Sequence, residues 1–170
     1  LEPDTDYLRS RLELLLEAHP RQTCFITQGY ICRNAHGEID NLQRGGSDYT
    51  ATLIGAALGA EEIQIWTDID GIHNNDPRLV DHTHSLEAVS YREAAELAYF
   101  GAKILHPTCV IPAERAGIHI RLKNTFDPTA PGTLISDRPS GRRVAALAAK
   151  DGITAIKIRS GRMLNAYGFL

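Results

Sequence analysis

The chain has 170 residues, 43% of them hydrophobic and 23% charged, with a formal net charge of −3. That composition suits an ordinary globular protein, with length for one domain or for one domain and a piece of another. So small a charge makes no case for nucleic acid or an acidic membrane surface, and no apolar run is long enough to span a bilayer.

The first residues, Leu1-Glu2-Pro3-Asp4-Thr5-Asp6, show no signal-peptide pattern. Cys24, Cys32 and Cys109 are widely spaced and form no CxxC pair, which argues against a disulfide framework or a zinc site and for a reducing cytoplasm. The histidines show no metal-ligand spacing, so no metal site is expected.

In chain order, Thr5 or Asp6 caps a helix to about His19, with Leu8, Leu12, Leu15 and Leu16 on one face and Pro20 as its stop. Cys24-Phe25-Ile26-Thr27 reads as a short buried strand. Asn34-Ala35-His36-Gly37 reads as a turn. At Arg44-Gly45-Gly46-Ser47-Asp48 two glycines sit between an arginine and a Ser-Asp pair, and a helical pattern follows at once. Ser47 suits an N-cap and Asp48 the positive end of the helix dipole. Open amides at a helix start beside an arginine can hold an anion. A tight strand-to-helix turn with a solvated arginine is the plainer alternative.

That helix reaches Leu58 or Gly59, and Ile63-Gln64-Ile65-Trp66 follows as a strand. Strand, Gly-rich turn, helix, strand is the unit of α/β proteins with largely parallel sheets, in which ligands bind beyond the carboxyl ends of the strands. Thr67, Asp68 and Asp70 lie at such an end. Residues 73–81 form a loop. A helix starts near Ser90 with Glu93 as its capping-box partner, a second runs from about Thr108 to Ala116, and Ile118 to Leu122 alternates as a strand. Asn124 to Thr133 is a loop and 136–143 a linker. Ile153 to Arg159 alternates again, and a helix begins at Gly161.

Several motifs occur together: Arg44 to Ala51; Ile65-Trp66-Thr67-Asp68-Ile69-Asp70-Gly71; Asp76-Pro77-Arg78; Phe100-Gly101-Ala102-Lys103-Ile104-Leu105-His106-Pro107; Lys123-Asn124-Thr125-Phe126 with Gly132-Thr133-Leu134-Ile135. In this order they resemble the aspartokinases of the amino-acid kinase family, from about Leu8 to Leu170. The resemblance implies an α/β fold: residues 1–135 as the C-terminal, ATP-binding part of the kinase domain, a linker at 136–143, and in 144–170 the first β-α elements of an ACT-like regulatory domain. It implies transfer of the ATP γ-phosphoryl group, with Mg²⁺, to the side-chain carboxylate of L-aspartate.

By the same resemblance Arg44, Gly45, Gly46, Ser47 and Asp48 bind aspartate. Thr67, Asp68, His73, Arg78, Lys103 and Ile104 contact ATP. Met163, Ala166, Phe169 and Leu170 lie near an effector site for lysine or threonine and near a homo-oligomer interface. Structural alternatives stand beside these roles: Arg78 paired with Asp76 or Asp81, Lys103 solvated at a helix break, the tail residues as simple packing.

Two departures bear on function. Asp40-Asn41-Leu42-Gln43 stands where the family has Thr-Thr-Leu-Gly, which puts a side chain and a negative charge near the substrate turn. The family's opening Lys-Phe-Gly-Gly-Thr-Ser, with its catalytic lysine, has no counterpart, so these 170 residues alone are expected to be inactive. Two other classes remain open: another amino-acid kinase, acting on glutamate or carbamate, and a non-catalytic nucleotide-binding module.

Overall fold

The computed structural model describes residues 3–100, 105–149 and 152–154. Helix α1 (Thr5–Ala18) is capped by Asp4, not by Thr5 or Asp6: the Asp4 carboxylate accepts from the Tyr7 amide at 2.9 Å. Two short strands, β1 (Ile31–Arg33) and β2 (Ile39–Asn41), pair antiparallel around the Asn34–Gly37 turn, as its composition implied. Cys24 to Thr27 is not the expected strand; Ile26 is 96% exposed. A strand needs a neighbour to take its backbone hydrogen bonds, and none lies alongside among the described residues.

Helix α2 (Gly46–Leu58) ends at Gly59 in the left-handed region and leads within three residues into β3 (Glu62–Thr67). Strand β4 (Ala88–Ser90) precedes α3 (Tyr91–Phe100). Helix α4 (Pro107–Ala116), closed by Gly117, leads directly into β5 (His119–Asn124), and β6 (Thr133–Ser136) follows. The expected loop at 124–133 and linker at 136–143 thus overlap the ends of β6. Neither β4 nor β6 has the length that makes alternation readable.

The four strands lie in the order β3-β5-β6-β4. β3 and β5 are parallel in register Thr67↔Asn124, β4 and β6 are parallel, and β5 and β6 are antiparallel. Ile63, Ile65, Val89, Ile120, Leu122 and Ile135 are buried together with Cys109, Val110 and Ala113 of α4. β-branched and leucine side chains on consecutive strands make the sheet's packed face. Helix α2 packs on α4, and α1 and α3 flank that pair.

This connectivity places two helix starts at one edge of the sheet. Helices joined by short turns to the amino ends of β3 and β5 run antiparallel to those strands. The N-termini of α2 and α4 therefore lie at the sheet edge where β3 and β5 end.

Candidate functional site

The turn before α2 is built around Gly45. Its φ of 74° is left-handed, and it, not Ser47, is the N-cap of α2, whose first residue is Gly46. Left-handed backbone admits glycine at least cost, so the double glycine moves the helix start two residues ahead of the hydroxyl. A Cβ on Gly45 would collide with the His106 Cβ and touch the Cys109 sulfur. One on Gly46 would meet the Tyr30 ring at 2.8 Å. Gly45 is therefore required by conformation and by close approach, Gly46 by close approach alone.

The Gly46 amide donates to the Gln43 carbonyl at 3.0 Å and the Tyr49 amide to the Gly45 carbonyl at 2.9 Å. Between them, the Ser47 and Asp48 amides have no acceptor among the described residues. Arg44 is exposed and makes no hydrogen bond or ion pair among those residues. Two amides without an acceptor at the positive end of a helix, next in sequence to an arginine, are groups able to receive an anion. Asp48 is half-buried, and that burial pushes its carboxyl above the ordinary range.

The loop 28–30 crosses the same helix start. The Tyr30 amide donates to Thr50 Oγ1 at 3.1 Å, Thr50 Oγ1 donates to the Gly46 carbonyl at 2.8 Å, and a Cβ on Gly29 would stand 3.0 Å from the Ser47 Cα. Tyr30 and Gln43, neither a glycine, take positive φ values of 73° and 59°. Gln43, which by the resemblance stands where the family has glycine, has left-handed backbone.

At the carboxyl end of β3, Thr67 Oγ1 accepts from the Ile69 amide at 3.2 Å, and Asp68 is exposed. Asp70 and His73 are joined at 2.6 Å through Nε2, and His73 Nδ1 meets Thr83 Oγ1 at 2.9 Å. The ring is thus held from both nitrogens. Arg78 forms a two-pronged pair with Asp76, 2.6 Å at its shortest, on the exposed side of the loop. This is the pairing that its sequence neighbourhood allowed.

Thr133 Oγ1, fully buried, accepts from the Ile72 amide at 2.9 Å and donates to the Leu86 carbonyl at 2.6 Å, which pins both limbs of the 68–87 loop to β6. Lys123 Nζ lies 5.6 Å from the centre of the half-exposed Trp66 ring and donates to the Ala130 carbonyl at 2.6 Å.

The fold therefore sets the Arg44–Asp48 turn and the Thr67–His73 loop at one sheet edge. Lys103, Ile104, Met163, Ala166, Phe169 and Leu170 lie outside the described residues. Sequence reasoning passed over His106, Cys109 and Thr133; the signal for the first two is Pro107 starting a helix whose first turn must face the double glycine. Concavities of about 280 Å³ and 320 Å³ lie elsewhere, at the amino edge around Tyr91, His119 and Asp137 and beneath residues 142–148. Among the described residues no His, Cys, Asp and Glu group could hold a metal, and no helix is long and apolar enough to cross a membrane.

Comparison with known proteins agrees with this layout. The model of the amino acid kinase family matches residues 2–124. Aspartokinase 2 of Arabidopsis thaliana, a chloroplastic protein, is 48% identical over 148 residues, 85% of this chain and 27% of that protein. Lysine-sensitive aspartokinase 3 of Escherichia coli is 39% identical over 170 residues, 99% of this chain and 38% of that protein. The crystal structure of E. coli aspartokinase III with aspartate and ADP superposes with a TM-score of 0.74 at 42% identity, over 81% of this chain and 31% of that one. The chain spans about a quarter to two fifths of the length of these relatives. It belongs to the amino acid kinase family, and its resemblance within that family is to the aspartokinases.

Proposed function

We propose that this chain carries the acceptor-binding turn and part of the nucleotide-binding edge of an aspartate kinase, which moves the γ-phosphoryl group of ATP to the side-chain carboxylate of L-aspartate. The observation that supports it most is the start of α2, where the Ser47 and Asp48 amides have no acceptor among the described residues and the exposed Arg44 directly precedes the left-handed Gly45. The E. coli relative is described in complex with aspartate and ADP.

Phosphoryl transfer asks the protein mainly for positioning and charge neutralisation. Arg44 clamps an acceptor carboxylate with parallel N–H bonds, and the α2 amides supply the rest of its hydrogen bonds. The nucleotide lies along Thr67, Asp68 and the His73 loop, with Arg78, Lys103 and Ile104 as further contacts. Asp68, the exposed carboxylate that follows β3, would help hold an Mg²⁺ ion bound with the nucleotide, which would neutralise phosphate charge.

In this reading the kinase part extends to about residue 135, and 144–170 begins an ACT-like regulatory domain. Lysine is the favoured effector, since one relative is lysine-sensitive. Met163, Ala166, Phe169 and Leu170 then belong to an effector-binding, homo-oligomeric region. The unpaired cysteines suit a reducing setting such as the cytoplasm.

The test is steady-state kinetics on the whole protein that contains this chain. Arg44→Ala should raise KM for aspartate about ten- to a hundredfold, the worth of a charged two-pronged bond, with KM for ATP little changed. Phosphorylation of glutamate or carbamate in place of aspartate, or an effect confined to ATP, would overturn the assignment.

A further inference from the structure

The Gly45 carbonyl accepts two protons. One comes from the Tyr49 amide and closes the first turn of α2; the other comes from the Cys109 thiol, 3.3 Å away. Cys109 is fully buried in the first turn of α4, where its own amide donates to the His106 carbonyl at 2.9 Å. The His106 Cβ stands where a Cβ on Gly45 would have to go. Two helix starts thus meet at one left-handed residue, and α4 contributes both the wall and the bond.

Resting on the acceptor-site reading above, we propose that Cys109 is a positioning residue for the aspartate turn. Its thiol proton on the Gly45 carbonyl, with His106 as backstop, fixes the left-handed Gly45. That residue sets the direction of the open Ser47 and Asp48 amides relative to Arg44. Cys109 touches no substrate and acts through Gly45.

The surroundings favour a thiol that stays protonated. Burial, reinforced by the neighbouring Asp48 charge, pushes the Cys109 thiol up to about 12. It is therefore a donor across the whole working range and a poor nucleophile. A carbonyl that already takes an amide proton has a second lone pair for this bond. No other hydrogen bond ties the α4 first turn to the Gly45–Gly46 backbone among the described residues.

Three variants of the whole protein test this. Cys109→Val keeps an apolar side chain of similar bulk and removes the donor; Cys109→Ala removes donor and bulk; Cys109→Ser restores a donor. Cys109→Val should raise KM for aspartate about three- to tenfold, the scale of one lost hydrogen bond to a positioned backbone group, with KM for ATP unchanged. Cys109→Ala should match or exceed that rise, and Cys109→Ser should return KM most of the way.

A wild-type KM for aspartate in Cys109→Val would overturn the proposal. So would equal rises in both KM values, which mark a general loss of packing. Amide hydrogen exchange gives a readout that needs no substrate: the hydrogen-bonded Gly46 and Tyr49 amides should exchange faster in Cys109→Val than in wild type, with β3 and β5 unchanged. If the wild type fails to use aspartate while the exchange effect is present, the substrate assignment falls and the positioning role stands. If exchange at the Gly46 and Tyr49 amides is unaltered, the positioning role falls.

Discussion

Ser140 is held twice by Glu93: its hydroxyl donates to Oε1 at 2.7 Å and its amide to Oε2 at 3.2 Å. The same carboxylate accepts from the Ser90 amide at 2.7 Å, while the Glu93 amide donates to Ser90 Oγ at 3.1 Å. The capping box of α3 is therefore also the anchor of the segment that leaves β6. That segment crosses to the other sheet edge, where the Leu147 amide donates to the Asn74 carbonyl at 2.9 Å and Arg142 meets His84 at 3.4 Å.

Burial raises the Glu93 carboxyl, but the hydrogen bonds from Ser90 and Ser140 outweigh it and leave the pKa below the ordinary range. A depressed carboxylate stabilises the fold fully above its unfolded-state pKa and loses that contribution as pH falls through its lower folded value. Glu93→Ala should cost about 1–2 kcal/mol at neutral pH, the scale of a helix cap plus one partnered carboxylate. The gap between wild type and Glu93→Ala in denaturant melts should shrink as the pH is lowered through the acid range. A gap that stays constant down to strong acid would contradict this.

Gln43 and Gly45 predict opposite responses. Gln43 carries a side chain at a φ of 59°, where glycine is at ease, so Gln43→Gly should stabilise by up to about 1 kcal/mol, offset in part by the freer unfolded chain. Gly45→Ala forces a Cβ into His106 at a φ of 74° and should cost about 2–4 kcal/mol or displace the turn. Thermal melts of the two variants check both signs at once.

Asp70 fixes the His73 ring from one side and Thr83 from the other. Asp70→Ala should free that ring and raise KM for ATP about three- to tenfold with KM for aspartate unchanged. Equal changes in both constants would show that the loop merely supports the fold.

The helices were legible because their ends carry chemistry: Gly59 and Gly117 stop α2 and α4, and Ser90 with Glu93 starts α3. The parallel β3–β5 core was legible in the runs around Ile63 and Ile120. Strands of three and four residues, β4 and β6, hold too little pattern to read, and Cys24–Thr27 reads as a strand whether or not a neighbour exists to pair with it. Of the proposed site, Arg44 to Asp48 stands out in the sequence by glycine content and charge. Cys109, His106 and Thr133 were not, because each acts by contact with a residue 47 to 64 positions away. The start of α2 shifted because the left-handed residue, not the hydroxyl, decides where that helix begins.

Thr133 offers the sharpest test of how the proposed nucleotide edge is held. Its hydroxyl joins the Ile72 amide to the Leu86 carbonyl inside the core, and Gly71 passes so close that a Cβ there would strike it. Thr133→Val keeps the shape and removes both bonds, which leaves a buried amide unpaired. Such a loss costs about 2–3 kcal/mol, since a stranded buried donor forfeits its hydration as well as its partner. Thr133→Ser keeps both bonds and gives up one methyl, which should cost about 1 kcal/mol. The loop carrying Asp68, Asp70 and His73 is tied to β6 through Ile72, so Thr133→Val should also raise KM for ATP several-fold, and Thr133→Ser should not. If valine and serine variants melt together and bind ATP alike, the clamp is not what orders this edge.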